Sequence, residues 1–225
     1  IPAGVEYIGW RAFENCSALR KITLPEGLEE IGEEAFLNCT SLEEFNIPSS
    51  VVSINGSAFD NTAFYNNAFN REDGALYRDG VLIAAEGISG RYSVKEGTRL
   101  IAMDSFRDCD NLYQLTLPAS LRYISADSSV ALDALIGLER IKVNKANPYY
   151  TADRQGVLYS KDKTVLVAYP RGSVMLSYSV PEGVEYIEDS IENDCLTQIF
   201  LPKSIKDFMR ITQNASIYHA GTRGE

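Results

Sequence analysis

The chain has 225 residues, 45% of them apolar and 23% charged, a balance that fits a folded protein and excludes a disordered one. Its 31 acidic and 21 basic residues leave a net charge of −10, which repels phosphate backbones and argues against a nucleic-acid partner. A single histidine rules out a His-rich metal centre, and no apolar run reaches the roughly 18 residues that a membrane-spanning helix needs.

In chain order, the first element is a repeat. Residues 1–24 read IPAGVEYIGWRAFENCSALRKITL and residues 25–47 read PEGLEEIGEEAFLNCTSLEEFNI. Shifted by 23, the two agree at Pro2/Pro25, Gly4/Gly27, Ile8/Ile31, Ala12/Ala35, Phe13/Phe36, Cys16/Cys39 and Leu19/Leu42, among others. A third copy starts at Pro48 with Val51, Ile54, Ala58 and Phe59 and leaves the pattern after Thr62. The pattern resumes over 95–117, with Gly97, Ile101, Phe106, Cys109 and Leu112, and again from Pro118, where Ser129 holds the Phe slot and Leu138, Ile141 and Val143 arrive late. A shortened copy runs from Pro181 through Val184 and Ile187 to Leu201, and Pro202, Ile205 and Phe208 begin another.

One such copy buries too few apolar side chains to offset the entropy of ordering it, so the copies must stack and shelter one another. Lys21-Ile-Thr-Leu24 alternates polar and apolar and predicts a short strand with Ile22 and Leu24 inward, ended by Pro25. The Val5-x-x-Ile8 unit forms the return side, and Ala12-Phe13 turns the coil. Two stretches interrupt the repeats. Tyr77-Arg-Asp-Gly-Val81 carries the Asp-Gly signal of a type I′ hairpin, and Leu158–Leu166 reads as a hairpin with a longer loop. Each is expected to widen one coil rather than found a domain.

These residues resemble the BspA-type leucine-rich repeat family, whose unit reads Cys-x-x-Leu-x-x-Ile-x-Leu-Pro-x-x-Leu-x-x-Ile-Gly-x-x-Ala-Phe. The match covers about two thirds of the chain and is specific in its Asn-Cys-x-x-Leu and Ala-Phe elements. The fold class expected is an α/β-type repeat solenoid: a right-handed leucine-rich-repeat superhelix of about seven coils. It has a parallel sheet on one face, few or no regular helices and two β-hairpin insertions. A single solenoid fills 1–225, with regular repeats at 1–62, 95–143 and 181–208 and insertions at 63–94 and 144–180. Both ends break the pattern partway, as in a fragment of a longer array. The resemblance implies a bacterial cell-surface or secreted protein that binds other macromolecules, in some members host matrix proteins.

For chemistry, the sequence offers little. Cys16, Cys39, Cys109 and Cys195 share one repeat position and are expected as buried thiols rather than a disulfide or a metal site. Asn15, Asn38, Asn55 and Asn214 head Asn-x-Ser/Thr triplets, but Asn15 and Asn38 share a repeat slot that suits an amide capping a turn. The Asp104, Asp108 and Asp110 cluster lacks the glycine spacing of a calcium loop and reads as a solvated acidic face. His219 has no nucleophile at a motif spacing, and neither a phosphate-cradling glycine loop nor a nucleophile elbow occurs.

No enzyme and no cofactor is therefore expected. What remains is the sheet face, where Lys21, Thr23, Glu44, Asn46, Gln114, Thr116, Arg140, Lys142, Gln198 and Phe200 point outward in columns suited to recognition by complementary charge. Trp10, Tyr113, Tyr123 and Tyr186 occupy slots that face outward. The expected partner of the chain, itself a monomer, is a host or bacterial surface protein. A carbohydrate-binding module centred on Tyr149, Tyr150 and Asp153, or a passive spacer, are the alternatives.

Overall fold

The structure is a computed structural model describing residues 1–125, 132, 134–188, 191–208, 211 and 215–220. The chain folds as a β-solenoid of about eight turns, with parallel sheets and almost no helix. Ser129 and Asn214 lie outside the described residues. The backbone divides into two compact units: Ile1–Ile88 with Gly97–Asp108 and Ser120–Ala131, and Ser89–Glu96 with Cys109–Ala119 and Leu132–Glu225.

In the first unit the period of 23 is visible as strand register. Tyr7–Ile8, Glu30–Ile31 and Ser53–Ile54 form a parallel sheet in which Ile8, Ile31 and Ile54 are direct partners. Lys21–Ile22 pairs in parallel with Glu44–Phe45, again 23 residues on. Each turn therefore carries two short strands, one more than the sequence suggests, because the return side also pairs with its neighbours. The apolar partner of each pair faces inward and joins one core with Leu24, Leu28, Phe36 and Leu42, all buried. At the turn, Phe13 stacks on Phe36 at 5.1 Å and Phe36 on Phe59 at 5.4 Å, the rings nearly parallel, so one aromatic column runs through three copies. Phe106, the later copy's counterpart, is fully buried in this unit. Gly32 lets the turns close up: a Cβ there would lie 2.7 Å from the Ile8 carbonyl oxygen.

The first insertion begins with a helical turn, Ala63–Asn66, capped by Thr62, and continues into antiparallel strands Arg71–Glu72, Ala75–Arg78 and Val81–Ala85. The Asp79-Gly80 turn has φ of 47° and 73°, the two positive values a type I′ hairpin requires. Val81–Ala85 then pairs in parallel with Leu100–Ile101, which pairs with Tyr123–Ile124. The hairpin is thus merged into the return-side sheet.

The second unit repeats this plan. Gly90–Ser93, Leu112–Leu117 and Arg140–Val143 form one parallel sheet, and Ser177–Ser179, Gln198–Leu201 and Ser216–His219 another. The second insertion folds as Tyr150–Ala152, Leu158–Ser160 and Val165–Ala168, antiparallel, and the last strand pairs in parallel with Tyr186–Ile187. Here too a hairpin's final strand takes the return-side position. Gly90–Ser93 and Ser177–Ser179, placed by the sequence within the insertions, serve as repeat strands.

Candidate binding face

Side chains alternate across a strand, so every residue between two inward apolar ones must face out. Lys21 and Glu44 are direct partners, and the Lys21 ammonium meets the Glu44 carboxylate at 2.7 Å with both side chains largely exposed. That bond holds the Glu44 carboxyl below its usual range. Thr23 is exposed beside them. Asn46 is committed elsewhere: its amide accepts from the Leu24 N–H and donates to the Leu24 carbonyl, both at 2.9 Å, pinning adjacent turns.

In the second unit, Gln114 is the partner of Arg140 and Thr116 of Lys142, with Arg140 and Lys142 exposed. Gln198 lies between Ser177 and Ser216, and Phe200 between Ser179 and Tyr218, on the sheet built around Gln198–Leu201. Phe200 and Tyr218 are stacked at 5.0 Å, and both are exposed. Eight of the ten predicted residues thus fall into three parallel sheets, while Thr23 and Asn46 lie just beyond the ends of their strands.

Around Arg140 the surface is concave. A groove of about 420 Å³ is bounded by Arg91, Tyr113, Gln114, Arg140, Arg154 and Met175, with Glu139, Gln155, Ser173 and Val174 completing its wall. Arg91 and Arg140 flank Gln114 on neighbouring strands, which sets their Cα atoms about 10 Å apart. The Arg91 guanidinium lies over the Tyr113 ring, 5.7 Å from its centroid. Arg154 arrives through the turn that follows Tyr150–Ala152: the Ile141 N–H donates to the Gly156 carbonyl at 3.0 Å. Gly156 itself, at φ 91°, packs so closely that a Cβ would meet the Arg140 Cα at 2.8 Å. Only glycine admits that approach.

Arg91, Arg154 and Val174 are missing from the sequence-derived set. Arg91-Tyr-Ser-Val94 does carry the polar–apolar alternation that would have revealed a strand. Arg154 leaves no such trace, because its place depends on a turn docking from another part of the chain.

The remaining candidates resolve into structure. All four cysteines are thiols; Cys39 and Cys109 are buried, whereas Cys16 and Cys195 are exposed, contrary to expectation. Cys16 lies in the first turn of its unit and Cys195 in a shortened copy. Burial pushes the Cys39 thiol up, and its Sγ donates to the Phe13 carbonyl.

Asn15, Asn38 and Asn61 form a ladder, each amide donating to the preceding one at 3.0 Å and 2.8 Å. Asn55 donates instead to Glu30 at 2.8 Å. Asp104 is tied to Arg107, which also meets Asp60, each at 2.9 Å, so this acidic face is cross-linked as well as solvated. Among the described residues no group of three or more His, Cys, Asp or Glu side chains could hold a metal ion. Asp153 accepts from the Tyr178 hydroxyl at 2.6 Å, and Tyr178 is hydrogen-bonded to Tyr159, so that carboxylate serves the core. Tyr149 is exposed nearby, and the backbone N–H groups of Tyr149 and Tyr150 both donate to Asn147. His219 lies exposed on the strand opposite Leu201.

A ladder face on stacked 23-residue turns defines a leucine-rich-repeat scaffold, a class of protein that is generally non-catalytic and that binds through its surface. The BspA type leucine rich repeat region matches residues 1–73 and 91–145, in six copies and over more than half of the chain, so the chain belongs to that family. No curated protein matches it in sequence.

Among solved structures it is similar to the pneumococcal vaccine antigen PcpA, with 19% identity and a TM-score of 0.50 over 88% of this chain and 50% of that one. A leucine-rich repeat protein from Eubacterium ventriosum shows 18% identity and a TM-score of 0.45, covering 89% of this chain and 60% of that chain. A leucine rich cell surface protein from Faecalibacterium prausnitzii shows 22% identity and a TM-score of 0.42, covering 96% and 58%. The chain spans about half to three fifths of these proteins' lengths. Among the described residues no helix is long and apolar enough to cross a membrane.

Proposed function

We propose that this chain is a non-catalytic protein-binding module of a bacterial cell-surface or secreted protein, and that it engages its partner through the outward strand residues around Arg140 and Lys142. The observation that carries this reading is the row Arg91–Gln114–Arg140, its two arginines exposed at a groove, with Thr116–Lys142 paired beside it. A rigid scaffold that lines up polar side chains loses little entropy on binding, which favours recognition. Membership of a surface-associated repeat family supports the location.

The direct test is a binding screen against immobilised extracellular matrix and bacterial surface proteins. The Arg140→Ala/Lys142→Ala double variant is expected to weaken any hit by about tenfold or more, chiefly through faster dissociation. Unchanged binding removes this face from the proposal.

A second reading has its own observation. Phe200 and Tyr218, stacked and exposed, form an aromatic platform of the kind that sugar rings stack on. A glycan array with Phe200→Ala separates it from protein binding: loss of a glycan signal on that substitution would favour the carbohydrate reading.

A further inference from the structure

The groove beside Arg140 has an electrostatic character that its surroundings lack. Many cations of the chain are matched to carboxylates: Lys21 to Glu44, Arg71 to Glu86, Arg107 to Asp60 and Asp104, Arg171 to Glu192, and Lys206 to Glu185. Such matching is expected where acidic residues outnumber basic ones 31 to 21. Arg91, Arg140 and Arg154 differ in being gathered together. They converge on one groove, all exposed, and none has an ion-pair partner among the described residues; Glu139 is the one carboxylate in the lining. Three like charges gathered in a concavity repel one another, and the fold holds them there by strand register and by the close packing of Gly156 on Arg140.

We propose that this groove takes a short acidic segment of the partner protein, in which two carboxylates are clasped by Arg91, Arg140 and Arg154 and an apolar side chain between them rests on Val174 and Met175. The proposal rests on the binding-face reading above and names the chemistry of what that face receives. Guanidinium is the cation suited to the task, because its planar fork meets a carboxylate with two parallel hydrogen bonds. Arg91 is already oriented by its stack on Tyr113, so less freedom is lost when the carboxylate arrives.

The apolar wall is equally specific. Val174 is 74% exposed, a bare aliphatic side chain in the wall that also holds three arginines. A long sulfated polysaccharide suits the site less well. It would extend past the groove into the field of a molecule carrying −10, whereas a short peptide feels chiefly charges within about 10 Å.

The experiment measures fluorescence polarisation of the full chain with labelled pentapeptides carrying Glu at alternate positions and Leu, Val or Phe between them. A matched Gln set and a heparin-derived oligosaccharide serve as the other arms. The acidic peptides are expected to bind at about 50 mM salt and to lose most of their affinity by about 500 mM. Arg140→Glu/Arg154→Glu should weaken them by about tenfold or more, and Glu139→Gln should strengthen them severalfold.

Equal binding of the Gln set, undiminished binding by a charge-reversed variant with native circular dichroism, no binding of the acidic set, or tighter binding of the oligosaccharide would each overturn the proposal. If a partner from the protein screen is lost with Arg140→Ala/Lys142→Ala while the acidic peptides fail, the binding face stands and only the acidic occupant falls.

Discussion

At the scale of single residues, the turn asparagines show how a repeat can demand a residue for its backbone and use its side chain as well. Asn15 and Asn38 both sit at φ 60° and Asn61 at φ 56°, in the left-handed region that most side chains avoid. Asparagine tolerates that conformation, and here its amide also bridges to the next turn, from Asn38 to Asn15 and from Asn61 to Asn38. The two contributions can be separated. Asn38→Ala loses both the bridges and the backbone tolerance, and should destabilise by about 1–2 kcal/mol in urea unfolding. Asn38→Gly keeps the tolerance and should cost about half as much. Equal losses for the two would mean that the left-handed backbone contributes nothing at this site. The Asn-x-Thr triplet at Asn38 is thereby explained by turn geometry.

At the scale of the element, the unit of stability is the layer shared by successive turns. Phe36 is fully buried between Phe13 and Phe59, in contact with both rings. Phe36→Ala should therefore cost about 3–5 kcal/mol, whereas Phe13→Ala, half-buried with one stacked neighbour, should cost clearly less; thermal unfolding of the pair decides it. The inward strand residue and the aromatic column were legible in the sequence because both recur every 23 residues and each leaves an apolar side chain behind. The Asp79-Gly80 turn was legible because few other pairs accept two positive φ values. The second strand of each turn was not, since two residues such as Glu30–Ile31 are too short to show alternation. Arg71–Glu72 and Tyr150–Ala152 were hidden for another reason: they pair because a neighbouring hairpin offers them an edge, and nothing local announces it. The candidate site divides the same way. Arg140 and Gln114 followed from register, while Arg154 depends on a turn brought alongside by the insertion, which spacing cannot reveal.

At the scale of the whole molecule, the two insertions and the repeat strand Ser177–Ser179 bring in buried phenols. Tyr159, Tyr169 and Tyr178 lie in one core cluster of the second unit, and Tyr65 packs against the core of the first. Burial pushes all four phenols upward, Tyr65 to about 12 with help from its hydrogen bond to Glu86. A phenol whose folded value is raised stays neutral in the native state while the unfolded chain ionises from about pH 10. Its contribution to stability is therefore complete below pH 10 and is lost as pH rises towards the folded values. Absorbance of tyrosinate during an alkaline titration should accordingly show a late phase in which these buried phenols ionise above the ordinary range, in step with loss of the far-ultraviolet strand signal. Tyr178→Phe breaks the link between Asp153 and Tyr159, so it should lower the thermal midpoint at neutral pH as well as reduce the late-titrating group by one. A titration with no late phase while the fold stays intact would show that the hydroxyls of Tyr65, Tyr159, Tyr169 and Tyr178 are open to water.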